Sequence, residues 1–179
     1  MSIKTYKPVT KSLRQMTRVN YREALSGDKP HKPLLKGARG RGGRNSHGRI
    51  TVRHQGGGHK RRHRDVDFRF DKKNIPAKIS TIEYDPFRSA FIGLAVYADG
   101  AKRYVTLPRN VKVGDTFIVS ETAPVKNANR LPLGSMPVGT FVYNIEIKPG
   151  SKAALARSAG NFAEVVAQDS GYPHLKLPS

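Results

Sequence analysis

The uneven distribution of charge constrains this chain more than any other feature. Residues 1–73 hold 21 Lys and Arg against 5 Asp and Glu, a net of +16, whereas residues 74–179 hold 12 against 8, a net of +4. The first part contains the runs Lys36-Gly-Ala-Arg-Gly-Arg-Gly-Gly-Arg44 and Arg53-His-Gln-Gly-Gly-Gly-His-Lys-Arg-Arg-His-Arg64. Segments like these have little apolar surface to bury, and their glycines raise the entropy lost on ordering. Alone in solution, residues 1 to about 60 are expected to be mostly disordered.

A formal charge of +20 on 179 residues disfavours a compact isolated state through self-repulsion, so a polyanion is the expected partner. Nucleic acid, an acidic membrane surface and an acidic protein are the candidates. No apolar run approaches the roughly 18 residues of a membrane span, and no hydrophobic signal core follows the basic start. Neither a membrane partner nor a secretory segment is therefore expected. Cysteine is absent, which excludes disulfide and thiolate chemistry and fits an intracellular protein.

Fully extended, about 60 residues at roughly 3.3 Å each reach on the order of 200 Å. An arm of that reach can thread between RNA helices, its glycines passing close to phosphates while its arginines neutralise them. The same composition also fits a solvated tail or linker with generic affinity for polyanions. Arginine outnumbers lysine in residues 1–73 by 12 to 9, and its planar fork suits bidentate phosphate contacts and stacking.

From about residue 75 the pattern becomes that of strands. Ala77–Tyr84, Ala90–Tyr97, Lys102–Leu107 and Thr116–Ser120 are short β-type segments, and Asp99-Gly100 marks a hairpin between the second and third. They predict a small antiparallel barrel. Beyond the stretch 123–129, Phe141–Lys148 alternates, with Phe141, Tyr143, Ile145 and Ile147 expected on one face; Phe162–Gln168 and Tyr172–Leu177 are further strands. No stretch has a 3.6-residue period, so the fold is predicted to be all-β. Most of Phe68, Phe70, Tyr84, Phe91, Tyr97 and Tyr104 are expected to fill the barrel core, although base stacking is the other use of such rings.

An ordered set of motifs resembles a known family. The run Gly43-Arg-Asn-Ser-His-Gly-Arg-Ile-Thr-Val-Arg-His-Gln-Gly-Gly-Gly-His-Lys-Arg-Arg-His-Arg64 is similar to the signature of the universal large-subunit ribosomal protein L-two family in its bacterial form. So are Ile82-Glu-Tyr-Asp-Pro-Phe-Arg-Ser-Ala90, Tyr97-Ala-Asp-Gly-Ala-Lys-Arg-Tyr104, Asn144-Ile-Glu-Ile-Lys-Pro-Gly150 and Arg157-Ser-Ala-Gly160. The resemblance implies an extended basic arm at 1–73, an OB-like barrel at 74–124 and an SH3-like barrel at 125–179. It implies binding to large-subunit rRNA beside other ribosomal proteins, in the cytoplasm. Roles in subunit assembly, subunit association and the architecture around the peptidyl-transferase region are also implied, with small-subunit rRNA as a partner at a subunit bridge. Family members usually continue well beyond the Leu-Pro-Ser at 177–179, so an incomplete second barrel with an unpaired edge near Phe162–Leu177 is expected.

The candidate rRNA contacts on the arm are Arg41, Arg44, Arg49, Arg53, His54, Gly56, Gly57, Gly58, His59, Lys60, Arg61, Arg62 and Arg64. On the barrels they are Arg88, Arg103 and Arg157; Arg88 and Arg157 match family positions that bind rRNA, and both sit in loops of a rigid scaffold. Alanine at either is expected to weaken binding with the fold intact, and deleting residues 1–60 to leave the barrels folded. Solvated surface arginines are the plain alternative.

His54, His59 and His63 are close in sequence, but Arg53, Lys60, Arg61, Arg62 and Arg64 around them would repel a dication, so no metal is expected. The glycine runs lack the Gly-x4-Gly-Lys-Ser/Thr pattern of a nucleotide loop. Gly56-Gly-Gly58 serves either close passage of RNA or a hinge before the barrel. Carboxylates are few and scattered, so no catalytic activity, cofactor or small-molecule substrate is expected. A general single-strand nucleic-acid binder of OB type is the competing reading.

Overall fold

The computed structural model describes residues 3–38, 42–169 and 171–179. Apart from one helical turn, α1 (Tyr21–Ala24), and two short 3-10 turns, Lys32–Leu34 and Leu133–Ser135, the regular elements are all strands. The all-β expectation holds.

The centre of the first module is a four-stranded antiparallel sheet. Its members are β5 (Ala77–Glu83), β6 (Ile92–Tyr97), β7 (Lys102–Thr106) and β8 (Thr116–Phe117), in the order β7-β6-β5-β8. The sheet is the OB-like half-barrel. In β5, buried Ala77 and Ile79 alternate with exposed Lys78 and Ser80, the period of a strand with one face on the core. A bulge between Ile79 and Thr81 shifts the register against β6 and bends the strand. The β6–β7 connection is the hairpin expected at Asp99-Gly100. The Gly100 N–H reaches the Tyr97 carbonyl at 2.9 Å, and Gly100 takes φ +81°. Of the turn residues only the glycine is left-handed, so this is a type I turn closed by glycine rather than the two-residue mirror-image turn.

Strand β6 is buried at five of its six positions. One face joins Phe70, Ala77, Ile79, Val105, Phe117 and Val119 through Ala95 and Tyr97. On the opposite face Ile92 and Leu94, with Tyr104 of β7, are covered by Leu34 and Val66. Both covering residues come from the basic part of the chain. A one-faced sheet would have produced alternation; the near-continuous apolar run of β6 exists because two layers flank it.

The arm itself carries small, local elements. β1 (Ile3–Thr5) pairs with β2 (Thr17–Val19), and β3 (Leu35–Ala38) pairs with β4 (Arg61–Arg64), both antiparallel. Among the described residues, none before Phe70 is fully buried, so these elements have little hydrophobic support of their own. The root of the arm is different. The His31 N–H donates to the Tyr104 hydroxyl at 2.8 Å, the Asp65 N–H to the Leu34 carbonyl at 2.9 Å, and the Ile82 N–H to the Ser26 hydroxyl at 2.8 Å. Ser26 and His31 are thus bonded to the sheet and Leu34 packs on it, so deleting 1–60, expected above to leave the barrels folded, would remove contacts that the first module uses. The charge pattern marks residues that face solvent, and it is blind to the few apolar ones among them.

The second module contains β9 (Phe141–Val142), β10 (Ile145–Glu146), β11 (Ala153–Leu155), β12 (Ala163–Asp169) and β13 (Tyr172–Lys176). β13-β12-β9 form one sheet, and β10-β11 a separate pair. Val142, Ile145, Ala163 and Val165 are its core, with Leu133, Met136, Leu155 and Leu175 packed around them. The predicted face of Phe141, Tyr143, Ile145 and Ile147 does not form. Asn144 takes φ +57°, which ends β9 after two residues and restarts pairing as β10. The turn inverts the pattern: Val142 and Ile145 are buried, while Phe141 and Ile147 point to solvent. β13 ends the sheet, with its outer edge unpaired among the described residues.

Candidate RNA interface

The arm presents its cations in two settings. Residues 43–52 form a compact loop closed by the Thr51 N–H on the Gly43 carbonyl at 2.8 Å. Gly43 has φ +66°, and a Cβ there would stand 2.1 Å from the Val52 carbonyl oxygen, so no other residue fits. Arg44 donates to the Gly48 carbonyl at 2.7 Å, and the Asn45 carboxamide oxygen accepts the Arg49 N–H at 3.0 Å. The loop thereby fixes the backbone of two exposed arginines on a tip that has no core. Arg53, His54, Gly56, Gly57, Gly58, His59 and Lys60 follow in exposed irregular chain. Arg41 lies outside the described residues.

The second setting is the β3–β4 ladder, where Leu35, Lys36, Gly37 and Ala38 pair with Arg64, His63, Arg62 and Arg61 in turn. Arg61 and Arg62 are exposed, whereas Arg64 is half-buried and donates to the Arg62 carbonyl at 2.8 Å. The His63 ring lies 5.3 Å from the Phe87 ring, and the His59 ring nitrogen Nδ1 meets the Lys60 carbonyl. The three histidines thus have separate surroundings, and among the described residues no group of three or more His, Asp or Glu could hold a metal ion.

The structure brings Arg88 and Arg157 together, which sequence distance alone does not suggest. Both guanidinium groups lie over the Phe68 ring, at 5.2 and 4.9 Å from its centroid. Around them the two modules are joined: the Ala153 N–H donates to the Phe68 carbonyl at 2.9 Å and the Ala159 N–H to the Ser89 hydroxyl at 3.1 Å. The two arginines differ in exposure. Arg157 is exposed, whereas the Arg88 side chain keeps 18% of its surface and pairs at 3.2 Å with Asp85, which keeps none. Burial pulls the Arg88 guanidinium below its ordinary pKa; Asp85 opposes this and Arg157 adds to it. Alanine at Arg88 would leave the buried Asp85 carboxylate with the Phe87 N–H but without its paired cation.

Arg103 also has internal partners. It donates to Asp67 at 2.6 Å and to Asp71, and its hydrogen bond to Asp71 first of all holds its pKa above the ordinary guanidinium value. Its charge is largely matched inside the protein. A residue that sequence reasoning missed is Arg130. It lies 4.5 Å from the Phe70 ring centroid, donates to the Asn144 carbonyl at 3.0 Å and pairs with Glu146 at 2.5 Å. Arg130 bolts one module to the other, and no local motif announces it.

The site is a set of exposed cations displayed from a β scaffold, and among the described residues no helix is long and apolar enough to cross a membrane. Comparison with known proteins agrees in both halves. A family model described as Ribosomal Proteins L2, RNA binding N-terminal domain, matches residues 31–120, and one described as the C-terminal domain matches residues 126–179. The large ribosomal subunit protein uL2 of Methylorubrum extorquens is 52% identical over 180 residues, and that of Hyphomonas neptunium is 50% identical over 179. Each alignment takes in 100% of this chain and 64% of the relative. On these matches and on the architecture that carries its exposed cations, the chain belongs to the ribosomal protein L2 family.

Proposed function

We propose that the chain is a structural, rRNA-binding constituent of the large ribosomal subunit in the bacterial cytoplasm, without catalytic activity of its own. The carrying observation is the line of exposed cations from Arg44 to Arg62, held by the β3–β4 ladder on a half-barrel that is itself well packed. Such a line neutralises phosphates and releases their counterions, while the folded modules select for RNA shape. In this reading Arg44, Arg49, Arg53, Lys60, Arg61, Arg62 and Arg157 touch RNA directly. Gly56, Gly57 and Gly58 let the backbone approach phosphates, with His54 and His59 beside them, and Arg41 belongs to the same stretch. Arg64, Arg88 and Arg103 hold the scaffold on which the others are mounted. Other ribosomal proteins are the neighbours. Subunit assembly, subunit association with small-subunit rRNA at a bridge, and order around the peptidyl-transferase region are the roles this binding would serve.

The test is binding to a folded bacterial large-subunit rRNA fragment against an unstructured RNA of equal length at about 0.2 M salt. A preference of tenfold or more for the folded fragment is expected. Equal affinity would instead identify a general single-strand binder. If about ten phosphates are neutralised, log K against log salt has a slope of roughly −7 to −9.

A further inference from the structure

We infer that the seam between the two modules is a sprung joint. Arg130 is its latch and the contacts of Phe68 are its pivot, so that freeing Arg130 lets the second module turn on the first. The joint is a property of the scaffold and holds whatever the chain binds.

Backbone strain locates the joint. Among the described residues, seven that are not glycine take left-handed torsions. His54, Asn74 and Asn110 are of types that tolerate this region, whereas alanine and phenylalanine seldom enter it. Phe70 (φ +52°), Ala128 (φ +73°) and Ala156 (φ +51°) are the costly ones, and all three lie at the seam. Phe70 and Ala128 line one small hollow with Tyr143 of the second module. The Ala156 carbonyl accepts the N–H of Asn144, itself at φ +57°. Asn144 is 2% exposed, and both polar atoms of its carboxamide are buried without a hydrogen-bond partner among the described residues. A buried amide in that condition is unfavourable to hold. Strain of this kind persists only where the surroundings enforce it, and it gathers at clamps and switches.

Arg130 supplies the enforcement, because it belongs to both modules at once. Its N–H donates to the Ile118 carbonyl and its carbonyl accepts the Ser120 N–H, both at 3.1 Å, which fixes its backbone to the first module. Its guanidinium covers Phe70, donates to the Asn144 carbonyl and pairs with Glu146. One side chain thus bears on two of the strained residues, at the end of a mostly exposed connection, 121–127. Phe68 is held by other means: its carbonyl accepts the Ala153 N–H, and its ring lies under Arg88 and Arg157. These contacts do not involve Arg130. Without the latch they remain, Phe70 and Asn144 relax, and the second module turns about Phe68 instead of detaching. Such a hinge lets the second module adjust to a surface on which the first has already docked.

The test uses the full chain, which has no cysteine, so spin labels can be placed one pair at a time. Lys102→Cys with Tyr172→Cys, both exposed positions, reports the distance between the modules by pulsed electron paramagnetic resonance. One narrow distance is expected with Arg130 in place. Arg130→Met should add a second population displaced by more than about 2 Å. The Asn144 N–H should then exchange with solvent on the order of tenfold faster, while the Ala153 N–H keeps its protection. Arg130→Lys keeps the charge but not the flat fork, and should give the same change to a smaller extent; it carries the test if the methionine variant does not fold. Ala128→Gly with Ala156→Gly, added to Arg130→Met, should return most molecules to the first distance, since glycine takes left-handed torsions freely. A single unchanged distance in the folded Arg130 variants, with Asn144 exchange unaltered, would show that Arg130 is no latch. A second population that the glycines leave untouched would show that strain does not drive the joint. Exchange at Ala153 rising as much as at Asn144 would mean detachment and no pivot.

Discussion

The two modules use the same kind of strand in opposite ways. In the first, the central strand β6 is covered on both faces, because Leu34 and Val66 pack over Ile92, Leu94 and Tyr104. In the second, the sheet of β9, β12 and β13 has a core on one side and leaves Phe141 at 64% and Phe162 at 50% exposure, with their rings 5.0 Å apart. The difference teaches that the basic arm is not merely attached to the first module: its root is the second layer of that module. Cationic chain and apolar core are interleaved at single residues rather than divided between domains.

The comparison can be broken at several points. Deleting residues 1–60 removes Leu34, the His31 and Ser26 contacts and strand β3. It should destabilise the first module by about 3–5 kcal/mol, summing a half-buried leucine and several hydrogen bonds. Deleting 1–24 should cost little, and equal urea midpoints for the two deletions would separate the arm from the core after all. Arg88→Ala should cost about 3 kcal/mol by stranding Asp85, whereas Arg157→Ala should cost under about 1 kcal/mol and act on RNA binding instead. Equal losses of stability from the two would deny the asymmetry across Phe68.

Tyr104→Phe should cost about 1–3 kcal/mol. The phenol donates to buried Glu83 at 2.8 Å, and without it that carboxylate keeps, among the described residues, the Thr81 hydroxyl at 3.0 Å. In the unaltered chain burial pushes the Tyr97 and Tyr104 phenols up to about 12. A phenol raised from its ordinary value near 10 contributes its full stability below about pH 10 and loses it as pH rises through about 12. Alkaline denaturation followed by phenolate absorbance should show this window, and tyrosines all titrating near 10 in the folded protein would contradict it. The smallest effect is expected from Phe162→Ala, within about 0.5 kcal/mol, since the ring is half exposed. A loss above about 2 kcal/mol there would mean that the second sheet is covered as well.

Much of this was legible from residue order alone. The strands β5 to β8 and the Asp99-Gly100 hairpin followed from β-branched runs and turn chemistry, which are local signals. The cover over β6 was not legible, because Leu34 and Val66 sit in charged surroundings and only the tertiary fold brings them to Tyr104. The face expected along Phe141–Ile147 failed at a single backbone torsion, at Asn144, which the alternation of side chains does not encode. At the interface, the cations of 44–62 were visible as composition. The pairing of Arg88 with buried Asp85, and the bolt made by Arg130, depend on contacts that no one-dimensional pattern contains.

The anchoring of the ladder's root on the half-barrel, through Leu34 before β3 and Val66 after β4, has a consequence for encounter with a partner. A free tail sweeps a large volume and must be localised in full when it binds. The segment between these strands is tethered at its two ends, so its search is confined to a small region in front of the first module. The glycine-rich stretch therefore arrives already aimed, and docking of the compact part delivers it to its target at high local concentration.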